Sequence, residues 1–175
     1  MEREGLEGCD LVIRDLPVVF GEARERAIQY FEEFLPDLIF HLGEAGGRTH
    51  ISVERIAINC DDARIPDNAG QKKEAQRLIA TGPDGLFATV PVENITAALQ
   101  KATIPAVVSN SAGTYVCNHV FYGMLHHIWT QKAATRVGFI HLPYLPEQTI
   151  DKPQKASMDI HLMVQAVKIA ITTCL

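Results

Sequence analysis

Short apolar runs and amphipathic stretches alternate along this chain. CDLVIRDLPVVF is rich in strand-forming residues and predicts a strand that ends at a Pro turn. EARERAIQYFEEFL places Ala27, Tyr30, Phe31 and Phe34 at helical spacing and should stop before Pro36. DLIFHLG predicts a short strand ending in glycine, and HISVERIAIN a single further extended run. Residues 60–72, CDDARIPDNAGQK, crowd Asp, Asn, Pro and Gly together and predict a loop. GLFATV then reads as a strand. VENITAALQKA reads as a helix with Ile95, Ala98 and Leu99 on its apolar face, and IPAVVSNSAG as a strand running into a small-residue turn. YVCNHVFYGMLHHIW predicts a helix, TRVGFIHLP a strand and SMDIHLMVQAVKIAI a last helix.

Strands and helices alternating over short connections predict an α/β fold, with a parallel or mixed sheet covered by helices on both faces. No repeat, low-complexity stretch or linker interrupts residues 1–175, so a single domain is expected. In such sheets ligands collect beyond the carboxyl ends of strands. That rule singles out HLGEAGGR, SNSAGTYVCNH and FIHLPYLP.

Composition narrows the function classes. The chain has 175 residues, 47% of them hydrophobic and 21% charged, enough for a real core. A net charge of -5 and a pI of about 5.8 argue against nucleic acid or an anionic membrane surface as partner. Cys9, Cys60, Cys117 and Cys174 show no CxxC spacing, and a core of this size does not need disulfides. MEREGLEGCD lacks the apolar run of a signal peptide, and no stretch approaches the ~18 apolar residues of a membrane span. A cytoplasmic protein with free thiols is the expectation.

Cys117 follows a polar, flexible turn, Asn110 to Thr114, and opens a predicted helix. Oriented N–H groups at a helix start favour thiolate over thiol and could hold a developing oxyanion. A buried structural cysteine is the other reading. A nucleophilic thiol needs a base. His141 ends the apolar strand VGFI, which places it at the carboxyl edge of the sheet near the Cys117 turn; a half-buried, backbone-satisfied histidine is the alternative. His126 and His127 point to different helix faces and His119 has no Cys or carboxylate pattern around it, so no metal site is read. Glu54 interrupts a strongly apolar strand. It is either solvent-facing or held to fix the tautomer of a base. The glycines of GEAGGR could let backbone amides approach a ligand, but the segment is neither GxGxxG nor a P-loop. Arg64 stands beside a turn-prone Pro-Asp-Asn and could meet an anion or simply be solvated.

GEAGGRTHISVERIAIN, DDARIPDN, SAGTYVCNHVFYG and GFIHLPYLPEQ resemble, in order, the signature segments of the bacterial pyroglutamyl peptidase I (pyrrolidone-carboxylate peptidase) family, from about Leu16 to near the C-terminus. The resemblance implies a three-layer α/β/α sandwich on a mostly parallel mixed sheet, usually assembled as a homotetramer. It implies a cysteine omega-peptidase that removes an N-terminal pyroglutamyl residue from peptides without metal or cofactor. The family triad falls on Glu54, Cys117 and His141. Arg64 falls on the oxyanion-site arginine, and Ile65, Tyr115 and Val116 on pocket positions.

Two departures from the family pattern bear on activity. The family reads Gly-Gln-Ala-Gly-Gly-Arg where this chain has Glu44, which as a carboxylate accepts hydrogen bonds but cannot donate them. Facing the lactam, Glu44 would lose a donor and add a charge to the pocket. The family also begins with a strand and a loop of the type TGFxPFGG. This segment has no counterpart here, so the family's first strand and the aromatic walls of its pocket are expected to be missing. The alternative function is accordingly a truncated, catalytically weak homologue acting as a binding or assembly module.

Overall fold

The computed structural model describes Leu6 and residues 8–175. Residues 1–5 and residue 7, within the charged N-terminal stretch read above, lie outside the described residues. The chain folds as α1 (Glu22–Phe34), β1 (Leu38–Glu44), β2 (Ile51–Glu54), β3 (Ile56–Ile58), β4 (Gly85–Phe87), α2 (Val92–Lys101), β5 (Ala106–Ser109), α3 (Val116–Gln131), β6 (Arg136–Leu142) and α4 (Ile160–Thr172). A 3₁₀ turn, Pro146–Thr149, follows β6. No helix among the described residues is long and apolar enough to cross a membrane.

The main sheet has the order β1-β6-β2-β5. β1 and β6 run parallel, as do β2 and β5, but β6 and β2 are antiparallel and share only two register pairs, Ser52 with His141 and Val53 with Ile140. Two parallel pairs of opposite direction therefore meet at the centre. Both central strands are buried on both faces, which explains their near-continuous apolar sequence. Side chains of β6 alternate between two cores. Val137 and Phe139 join Ala23, Ala27 and Phe31 of α1 and Phe121, Met124 and Leu125 of α3. Ile140 joins Ile51 and Val53 of β2, Ile95 and Leu99 of α2, and Met163 and Ala166 of α4. The result is the α/β/α sandwich on a mixed, mostly parallel sheet.

Helix ends follow local chemistry. α1 stops with Leu35 in the left-handed region (φ 43), directly before Pro36. The Asp159 side chain caps α4 by accepting from the His161 N–H at 2.8 Å.

Two expectations are corrected. Residues 9–17 form no strand: among the described residues no strand pairs with them, Leu11, Val12 and Ile13 are exposed, and Arg14 instead lies over the Phe34 ring at 4.8 Å. A strand is a pairwise object, and propensity alone does not make one. HISVERIAIN is not a single strand either. It breaks at Arg55, whose N–H donates to the Ser109 carbonyl and whose carbonyl accepts from the Ala88 N–H. β3 then leaves the main sheet to pair antiparallel with β4.

Candidate active site

Glu54 closes β2, the turn after β5 leads to α3 and Cys117, and His141 lies near the end of β6. Because β2 and β6 are antiparallel with a short overlap, their carboxyl-end residues meet over the middle of the sheet. His141 Nδ1 donates to Glu54 Oε1 at 2.7 Å; with a carboxylate as partner, that nitrogen carries the proton and Nε2 the lone pair. Both side chains are buried, Glu54 completely. The imidazole also packs on Phe139, with ring centroids 4.7 Å apart.

Cys117 arrives on the same face. Gly43 of β1 is the register partner of His141, and a Cβ on Gly43 would come within 3.0 Å of Cys117 Sγ and 2.9 Å of the Phe139 ring. The thiol thus lies over the glycine beside His141, and only a residue without a side chain leaves it room. The thiol and the imidazole share no hydrogen bond in this resting geometry, which commonly tightens only with substrate bound.

The backbone N–H at the helix start favours the thiolate, as expected from the sequence, but burial outweighs it. Burial pushes the Cys117 thiol up to about 11, the Glu54 carboxylate adds to this, and its own backbone N–H and the Arg48 guanidinium only partly offset it. A thiol in this setting has to be deprotonated by a base during attack.

The start of α3 is stitched to the 60–72 loop. Thr114 Oγ1 donates to the Asp62 carbonyl at 2.6 Å, and the Tyr115 hydroxyl donates to the Pro66 carbonyl at 3.0 Å. Fully buried Asn118 accepts from the Ile58 N–H at 2.9 Å and donates to the carbonyls of Ile58 and Cys60. His119 Nδ1 donates to Asp61 Oδ2 at 2.8 Å, while its Nε2 accepts from the Gly21 N–H at 3.0 Å.

The remaining sequence-derived candidates separate. Tyr115 and Val116 sit immediately before the thiol, but the Val116 side chain is buried in the α1–α3 core, leaving its backbone N–H on the first helical turn. Arg64 and Ile65 are exposed on the loop. Glu44 stands apart: Gly43 faces Cys117, so its neighbour Glu44 projects from the opposite face, where Gln148 Nε2 donates to Glu44 Oε2 at 2.6 Å.

Sequence reasoning missed the roles of Arg48 and Asn118, and read Gly43 only as a glycine letting backbone amides approach a ligand, not as the seat of the Cys117 sulfur. Arg48 Nη1 donates to Glu54 Oε1 at 2.9 Å, the oxygen that also receives His141. The signal for Arg48 was its place in the glycine-rich GEAGGR segment, not its partner: Arg55 lies nearer to Glu54 in sequence, and only the fold buries the carboxylate. Asn118 carried a weaker one, as a poor helix former in a first turn.

A carboxylate-oriented imidazole beside a cysteine at a helix start is the constellation of a cysteine hydrolase. The family model described as pyroglutamyl peptidase matches residues 2–175. Pyrrolidone-carboxylate peptidase 1 of Caldanaerobacter subterraneus subsp. tengcongensis is 47% identical over 169 residues, which cover 97% of this chain and 83% of that protein. Among solved structures, pyroglutamyl peptidase I of Bacillus amyloliquefaciens superposes with a TM-score of 0.88 at 39% identity, covering 91% of this chain and 77% of that one. A mutant pyrrolidone carboxyl peptidase from Pyrococcus furiosus gives a TM-score of 0.88 at 46% identity, covering 91% and 78%. The chain belongs to the pyroglutamyl peptidase family of cysteine peptidases. Nothing in these matches supports the alternative of a truncated, catalytically weak homologue acting as a binding or assembly module.

Proposed function

We propose that the chain removes N-terminal pyroglutamyl residues from peptides, and that Cys117, His141 and Glu54 carry the chemistry. The observation that carries this reading is the 2.7 Å bond from His141 to buried Glu54, on the sheet face where Gly43 makes room for the Cys117 sulfur.

His141 Nε2 takes the thiol proton as Sγ attacks the pyroglutamyl carbonyl carbon. The oxyanion of the tetrahedral intermediate is met by the free N–H groups of the first turn of α3, with Arg64 supplying positive charge from the loop. Collapse breaks the C–N bond, and the leaving amine takes the proton from His141. A thioester remains. His141 then removes a proton from water, which attacks the thioester carbonyl and releases pyroglutamate and the Cys117 thiol. Glu54 holds the imidazole and stabilises its cation in both halves. Pyroglutamate is a neutral lactam, and the Glu44 carboxylate, bonded to Gln148 on the other face, adds no charge to its pocket.

All four cysteines carry free thiols, which supports work in the cytoplasm. The exposed rings of Phe87 and Trp129 flank one shallow groove and support an assembly of like subunits, the homotetramer implied by the family resemblance.

The test is release of a fluorescent amine from a pyroglutamyl amide. Turnover should vanish in Cys117→Ala and after iodoacetamide treatment. Folded protein that shows no turnover while Cys117 remains alkylatable overturns the proposal.

A further inference from the structure

Glu54 has no solvent contact, and its Oε1 receives two donors, His141 Nδ1 at 2.7 Å and Arg48 Nη1 at 2.9 Å. Oε2 has no hydrogen-bond partner among the described residues, so both donors converge on one atom. Arg48 comes from the turn after β1. Its N–H donates to the Ala45 carbonyl at 3.2 Å, Gly47 takes a positive φ of 91°, and Gly46 lies so close under the Tyr144 ring that a Cβ could not fit. This turn therefore holds the arginine stem in place, while the guanidinium side chain keeps 31% of its surface exposed.

A neutral imidazole contributes a hydrogen bond to Glu54 but no charge. Before attack, the only full positive charge in contact with the buried carboxylate among the described residues is Arg48. After His141 takes the thiol proton, imidazolium and guanidinium face the same oxygen. Among the described residues, the ionisable groups around the thiol are then Arg48 from the turn, Glu54 from β2 and Tyr115 from the start of α3, with His141 of β6 beside Gly43 under the sulfur. Arg48 and a protonated His141 supply the positive charge, Glu54 the negative.

We propose that Arg48 is a positioning residue for the hydrolysis, holding the Glu54 carboxylate in place toward His141 and contributing positive charge beside the buried site during attack. It touches no reacting atom and acts through Glu54 and the local field. This inference rests on the triad reading above. The thiol is already held above its ordinary range by burial and by Glu54, and Arg48 works against that rise.

The test uses the full chain with Arg48→Gln and Arg48→Lys. Arg48→Gln should lower kcat by about 10- to 100-fold with KM within about threefold, the range of a lost positioning or electrostatic contact. The rate of Cys117 alkylation by iodoacetamide at pH 8 should fall about threefold or more, because a higher thiol pKa leaves less thiolate. Arg48→Lys, which keeps charge but not the guanidinium geometry, should recover most of the alkylation rate and only part of kcat. A merely structural arginine gives the opposite alkylation result, since a loosened site exposes the thiol and speeds alkylation. Faster or unchanged alkylation in Arg48→Gln, or a KM rise with kcat intact, overturns the proposal. If Arg48→Gln does not fold, Arg48→Lys with native kcat overturns it. Alkylation is read without turnover, so an inactive parent protein would refute the peptidase reading and still leave the Arg48 effect measurable.

Discussion

Glu54 reaches His141 diagonally across the sheet: the register partner of His141 is Ser52, two residues earlier on the same face of β2. Neighbours of this diagonal kind are spaced for a long side chain to span, whereas directly opposed residues leave room only for a short one. The small, fully buried Ser52 is thus as much a part of the arrangement as the carboxylate. Replacing Glu54 by Gln keeps the shape but lets the amide donate where two N–H groups already point. Glu54→Gln should lower kcat by about 10² to 10⁴ with little change in KM. A loss smaller than tenfold in steady-state turnover would falsify the orienting role.

Gly43 gives a steric prediction. A Cβ there meets Cys117 Sγ at 3.0 Å and the Phe139 ring at 2.9 Å. Gly43→Ala should cost about 1–3 kcal/mol of stability and displace the sulfur enough to remove most activity. Thermal unfolding and turnover measured together decide it, and a variant indistinguishable from the parent in both refutes it.

Buried His41 predicts a pH-dependent stability. Its Nδ1 has no partner, and burial lowers its pKa from 6.5 to about 4. The unfolded chain therefore binds a proton between these values that the folded one does not. The contribution is fully present above pH 6.5 and is lost as pH falls toward 4, by roughly 3 kcal/mol. His41→Leu should flatten that part of the stability curve in denaturant titrations. An unchanged slope between pH 4 and 6.5 excludes His41 as its source.

Asn118 ties α3 to the loop side of the sheet through three hydrogen bonds and has no exposed surface. Asn118→Ala leaves a buried N–H and carbonyls to find new partners, which should destabilise by roughly 2–4 kcal/mol. The chemical-denaturation midpoint measures it, and a loss below about 0.5 kcal/mol would show that these groups are satisfied some other way.

Helix periodicity was readable because its partners lie three and four residues away. α1, α2, α3 and α4 all fall where the apolar spacing put them. Strand assignments depended on pairing, which a single stretch does not encode: Leu11 to Ile13 look like a strand but find no partner strand among the described residues, and the break at Arg55 is set by carbonyls and amides of distant segments. Glu54 was visible as a charge inside an apolar run. Arg48 was not, because its significance depends on a carboxylate whose burial only the tertiary fold reveals. The fate of Glu44 was likewise set by sheet parity and by Gln148, a residue 104 positions away.

The alliance between Glu54 and His141 joins positions 87 apart in the chain, and the glycine that seats the sulfur pairs with His141 from the strand on the opposite side of β6. The triad cannot assemble from a local segment; only the Arg48–Glu54 contact is short-range. Loop closures of that length are slow relative to helix formation, and parallel strand pairing adds to the delay. During refolding, catalytic competence should therefore return with the final cooperative step, lagging behind helical signal. Recovered turnover then serves as a clock for completion of the whole sheet, not for the early appearance of α3.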